Sequence, residues 1–178
     1  MHPRIQEVLD YLDTTRSDVS NAVESVAPNR RNERLPGDRW SVAEVLDHLG
    51  ILEARVAQLV SGRLAAARAV GLGPELETSS VLDTVDRARI LDRSHRATAP
   101  DFVRPQTDCD ATAAWAALQQ SRAELRAAVV ANDGFALSEV KYEHPVLGLI
   151  DLYQWLIFVG AHEARHTDQI REIAAEFA

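Results

Sequence analysis

The sequence predicts an all-α protein, a bundle of four to five helices, and three observations carry that prediction. Apolar residues recur at three- and four-residue intervals through four long segments. Glycine and proline are few, 8 and 7 of 178 residues, while alanine is abundant, a balance that favours helix over sheet. No segment alternates apolar and polar residues as a half-buried strand would.

Residues 4 to 26 form the first helix, with Ile5, Val8, Leu9, Leu12, Val19, Val23 and Val26 on one stripe. Pro28, a polar run and the Pro36-Gly37 turn connect it to the second helix. Ser41 and Glu44 make a capping box there, ahead of the stripe Val42, Val45, Leu49, Leu52, Val56 and Leu59. That stripe fades near Ser61-Gly62, and Arg63 to Val70 can extend it before Gly71-Leu72-Gly73-Pro74 stops it. A third helix is expected over Ser80 to Arg96, with Val81, Val85, Ala88 and Leu91 facing in and His95 near its end as a reserve site residue. Thr98 to Asp110 reads as an irregular connection containing Cys109, an inert thiol on this reading. Asp110 caps a fourth helix over Ala111 to Ala131, ended by Asn132-Asp133-Gly134. Residues 135 to 150 read as an extended link, and Asp151 with Gln154 starts a final helix that runs to Phe177. No internal repeat is evident.

The chain is expected to be a single domain, residues 1–178, long enough to bury its own core. A net charge of −8 argues against nucleic acid or an anionic membrane as partner, and no apolar run is long enough for a membrane span. Cys109 is the only cysteine and the N-terminal run has no apolar signal core, so the expected location is the cytoplasm.

The chemistry concentrates in the last helix, in His162-Glu163-Ala164-Arg165-His166. Both histidines fall in the middle of the apolar stripe Leu152, Trp155, Val159, Ile170, Ile173 and Phe177. Two imidazoles one turn apart on a buried face need partners: a shared metal ion, or carboxylates across the bundle. The five residues match the zinc-peptidase pattern H-E-x-x-H, in which the glutamate is the base. A peptidase also needs a third ligand and a strand edge for its peptide; only twelve residues follow His166, and Glu172 and Glu176 share its helix. His48, on the edge of the second stripe, reads from its own helix as a boundary histidine.

Two segments resemble a known family. Trp40-Ser41-Val42-Ala43-Glu44-Val45-Leu46-Asp47-His48-Leu49 is similar to the W-S-x-x-E-x-x-x-H-L segment of the DinB/YfiT-like proteins. His144-Pro145, Gly148, Trp155-Leu156, His162-Glu163, Arg165-His166 and Gln169-Ile170 resemble that family's C-terminal signature. The resemblance implies a DinB-type four-helix bundle with one short additional helical or irregular segment, often a homodimer. It implies one divalent metal ion, zinc or nickel, on three histidines; carried over, these are His48, His162 and His166. It also implies a metal-dependent enzyme acting on a small molecule: a transferase or isomerase using a low-molecular-weight thiol as co-substrate, or a hydrolase. The alternative is a metal-binding or stress-related module without catalysis, with the H-E-x-x-H peptidase a distant third.

Around these ligands, Glu163 is the candidate catalytic base, although it lies about 100° round its helix from His162. Glu44 or Asp47 can orient a ligand imidazole, His144 can line the rim, and Arg165 can meet a substrate carboxylate or pair along its own helix. Gln169 has no assigned chemistry.

Overall fold

The computed structural model describes residues 1–37, 39–94 and 99–177. Its frame is four long helices: α1 (Pro3–Glu24), α2 (Val42–Ala69), α4 (Ala111–Val130) and α5 (Leu152–Phe177), with a short α3 (Arg87–Leu91) between α2 and α4. α2 packs most extensively against α4 and α1 against α5, so the bundle is two helix pairs laid together. The core is built on the stripes read from the sequence, with Ile5, Val8, Leu9, Leu12, Val19, Val42, Val45, Leu152 and Ile170 fully buried. It also takes in Leu46, Val60 and Leu156, which the spacing did not name, while Leu52, Leu59 and Phe177 are only partly buried. Among the described residues, no helix is long and apolar enough to cross a membrane.

The helix starts are fixed by side chains. Ser41 Oγ accepts from Glu44 N–H while Glu44 Oε2 accepts from Ser41 N–H, closing the capping box of α2. Asp110 caps α4 through the amides of Thr112 and Ala113. Asp151 and Gln154 exchange the same reciprocal pair of bonds at the start of α5. α2 runs through Ser61-Gly62 to Ala69, and the chain turns away at Gly71, where φ is +94°.

Two expectations are corrected. Among the described residues of the stretch expected as one helix, Ser80 to Arg96, there is a single 3₁₀ turn, Leu82–Thr84, and then the five residues of α3. Of the expected inward stripe only Val81 is buried; Leu91 is 40 % exposed, so the segment has no continuous apolar face to hold a long helix. Asp86 caps α3 through Arg89 N–H, and Arg165 of α5 donates to the carbonyls of Ile90 and Asp92. His95 lies outside the described residues. The link before α5 is a hairpin of β1 (Lys141–His144) and β2 (Gly148–Asp151), antiparallel, with Lys141 opposite Asp151 and His144 opposite Gly148. Most of β1 is exposed, which erased the period-two signal. His144 Nδ1 accepts from the amides of Val146 and Leu147 and closes the turn.

Gly160 sets the approach of α1 to α5. A Cβ there would stand 2.9 Å from Tyr11 Cδ1 and closer still to Cε1, so the ring lies directly on the glycine backbone. Gly160→Ala should therefore destabilise the fold by about 1–3 kcal/mol, the usual effect of overpacking. A Cβ at Gly50 would have Leu118 N as its nearest neighbour at 3.5 Å, ordinary contact, so Gly50→Ala should be neutral or slightly stabilising. Urea denaturation of both variants checks the contrast.

Candidate metal centre

His48 projects from α2, and His162 and His166 from successive turns of α5; the fold brings all three imidazoles together. One nitrogen of each lies within 4.8 Å of the others, and His48 Nε2 and His162 Nε2 are 3.3 Å apart. Two nitrogens that each bind one tetrahedral ion at about 2.0–2.1 Å stand roughly 3.3–3.4 Å from one another. That pair already has the spacing of a shared ion.

The surroundings favour the donor form of two of the rings. His48 Nδ1 is 2.7 Å from the carbonyl of Val103, which can only accept, so Nδ1 carries the proton and Nε2 keeps its lone pair. His166 Nδ1 is 2.8 Å from Gln169 Oε1, with the same consequence. His162 Nδ1 is buried without a hydrogen-bond partner. Burial holds His48 and His162 below the ordinary histidine range and, with His48 alongside, takes His166 down to about 3. At neutral pH all three are the uncharged imidazole that metals bind. Trp40 packs against His48 and His166, and Phe158 against His162, giving the cluster an aromatic wall.

The remaining sequence candidates sit elsewhere. Glu163 is buried at 2 % exposure and faces the bundle centre: it accepts from Thr15 Oγ1 at 2.7 Å, Arg16 Nε at 2.7 Å and Arg122 Nη2 at 2.8 Å. Its carboxylate serves those donors, not the imidazoles. Glu44 is engaged by the capping box and by Arg34, which together hold its carboxyl below the usual range against the opposing effect of burial. Asp47 accepts from Gln106 N–H at 2.8 Å, tying the segment that carries the Val103 carbonyl to α2. Arg165 is engaged by backbone carbonyls, while Arg93 donates to the Arg165 carbonyl and pairs with Glu172. Burial, with Asp47 and Glu44 beside it, pushes the Cys109 thiol up to about 11, so it is unreactive at neutral pH.

His144 is buried against Trp155 and Phe158, with Phe158 between it and His162. Burial lowers its pKa to about 4. The folded state therefore disfavours its protonation, whereas the unfolded chain takes up a proton near pH 6.5. Its contribution to stability is full above about pH 6.5, falls as the pH drops, and stops falling below about 4, a loss on the order of 2–3 kcal/mol. In His144→Asn the amide oxygen can still accept from the turn but cannot titrate. The variant should gain about that amount relative to wild type between pH 7 and pH 4 in urea denaturation.

Comparison with known proteins agrees with the bundle. A family model described as the DinB superfamily matches residues 11–170. The chain is 26 % identical over 170 residues to the uncharacterized protein YuaE of Bacillus subtilis (strain 168), an alignment covering 93 % of this chain and 96 % of that one. No solved structure matches.

Proposed function

This chain belongs to the DinB superfamily, and on that premise we propose that it is a divalent-metal protein whose His48, His162 and His166 hold one ion, zinc or nickel, for chemistry on a small molecule. The observation that carries the reading is the meeting of three neutral imidazoles from two helices, with their nitrogens within 4.8 Å. Three imidazole donors leave coordination open, as in catalytic and not structural sites. Bound there, an ion would supply Lewis acidity to a thiol, ester or amide.

The chain's own residues do the rest. The Val103 carbonyl and Gln169 fix which nitrogen of His48 and of His166 faces the common centre. Trp40 and Phe158 restrict water on their sides. Glu163 is assigned to scaffolding and not to catalysis, because each of its oxygens is already taken by arginine. That assignment removes the base an H-E-x-x-H peptidase needs, and the peptidase reading is dropped. Transfer to or from a low-molecular-weight thiol, or hydrolysis, remains the proposed reaction class.

The test has two parts. Elemental analysis after incubation with zinc or nickel should find about one ion per chain, since the described residues hold one cluster of three histidines. The loaded protein should then consume a monothiol in the presence of a soluble electrophile, with loss of that activity on chelation. One equivalent of metal with no turnover of thiols, esters or amides would replace the enzyme reading by a metal-binding module.

A further inference from the structure

At the middle of the bundle four buried charges, one from each long helix, close into a ring. Arg16 of α1 donates to Glu163 Oε1 at 2.7 Å and to Glu53 Oε2 at 2.6 Å. Arg122 of α4 donates to Glu53 Oε1 at 2.5 Å and to Glu163 Oε2 at 2.8 Å. Every carboxylate oxygen thus receives at least one guanidinium nitrogen. The pattern is close to two-fold: Arg16 Nη1 reaches the Leu118 carbonyl of α4, Arg122 Nη1 reaches the Leu12 carbonyl of α1, and Thr15 and Ser121 each give a hydroxyl to one glutamate. None of the four residues is more than 7 % exposed.

We propose that this ring is a positioning device for the histidine cluster, fixing the register and rotation of α5 against α2. The proposal rests on the metal reading above. The two ligand-bearing helices belong to different well-packed pairs, α2 with α4 and α5 with α1, and the ring joins both pairs. Glu53 lies five residues after His48, and Glu163 lies between His162 and His166. Apolar contact is non-directional, so a helix can slide or turn by a fraction of the roughly 1.5 Å and 100° that separate successive residues with its stripe still on the core. A metal centre needs its ligands within about 0.5 Å. A ring with every oxygen paired has one arrangement, whereas a slipped helix leaves buried charges unpaired. Stability alone is a poor reason for such a ring, because well-packed apolar residues generally replace a buried ion network without loss.

Cobalt(II) titration, followed by its visible ligand-field bands, reads affinity and geometry together in three variants. One removes the ring (Arg16→Met, Glu53→Leu, Arg122→Met, Glu163→Leu), one loosens it (Arg16→Lys), and Leu125→Ala is an uncharged core truncation that lowers stability as a control. Ring variants should bind cobalt about tenfold or more weakly with altered bands, the scale of an outer-shell loss, while Leu125→Ala keeps wild-type affinity. Wild-type affinity and spectrum in a folded ring variant, or an equal loss in Leu125→Ala, would overturn the proposal. Should the fourfold variant fail to fold, Arg16→Lys against Leu125→Ala decides. A wild-type chain that binds no cobalt sinks the metal reading instead. The ring is then judged by imidazole NMR of the metal-free protein: ring variants should shift the His48 and His162 signals and Leu125→Ala should not, and unmoved signals count against it.

Discussion

Replacing His166 with alanine is expected to abolish stoichiometric uptake of zinc or nickel, with affinity reduced more than about 100-fold. The expectation follows from the geometry of the remaining donors. His48 Nε2 and His162 Nε2 already stand 3.3 Å apart, but two imidazoles form only one edge of a tetrahedron. On the proposed reading His166 would supply the third corner, its Nδ1 being held by Gln169 and its Nε2 left for the ion. Removing the ring also leaves Trp40 without its stacking partner, a packing loss confined to one side of the site. Isothermal titration with zinc, beside urea denaturation of the same samples, separates the two effects. Gln169→Ala should sit between wild type and His166→Ala, with affinity about 10-fold to 100-fold lower because only the orientation of the ring is lost. Full-affinity binding by His166→Ala would remove this histidine from the centre.

The bundle was legible because apolar residues at helical spacing mark its long helices and most of those named are buried. Leu46, Val60, Leu64 and Leu156 nevertheless join the core unnamed, and Leu52, Leu59 and Phe177 are only partly buried. The failures have physical causes. Val81 to Leu91 offered a helical spacing but too little burial to sustain it, and the hairpin before α5 had too little burial to show a strand's period. His48 looked like a boundary residue because its own helix cannot show that residues 103 and 106 fold over it from a distant segment. Gln169 carried no message until the structure placed it on His166. The charged ring did leave a trace: Arg16, Glu53 and Arg122 each sit four residues after one buried apolar residue and three before the next, between Leu12 and Val19, Leu49 and Val56, and Leu118 and Leu125. A charge inside a core stripe is rarely solvated. The pattern Leu-x-x-(Thr/Ser)-Arg, present once in α1 and once in α4, is the short recurrence from which the two-fold ring is built.

Glu163→Gln is expected to destabilise the protein by about 3–5 kcal/mol, the scale for breaking a buried ion network by removing one charge. Arg16 and Arg122 would both lose a carboxylate partner, and neither guanidinium has water to fall back on at 7 % exposure. The glutamine oxygen can accept from one of them, but its amide group brings two donors toward a cluster already crowded with donors. Against a typical total stability of about 5–15 kcal/mol such a loss lowers the urea midpoint far enough to be unmistakable. The same variant should still take up one equivalent of zinc at saturating concentration, because none of the three imidazoles has been altered, although more weakly if the ring positions α5. A glutamate acting as base for a metal centre predicts the opposite balance: little change in stability and a large loss in turnover. Measuring the urea midpoint and the zinc stoichiometry on one preparation distinguishes a scaffold glutamate from a catalytic one.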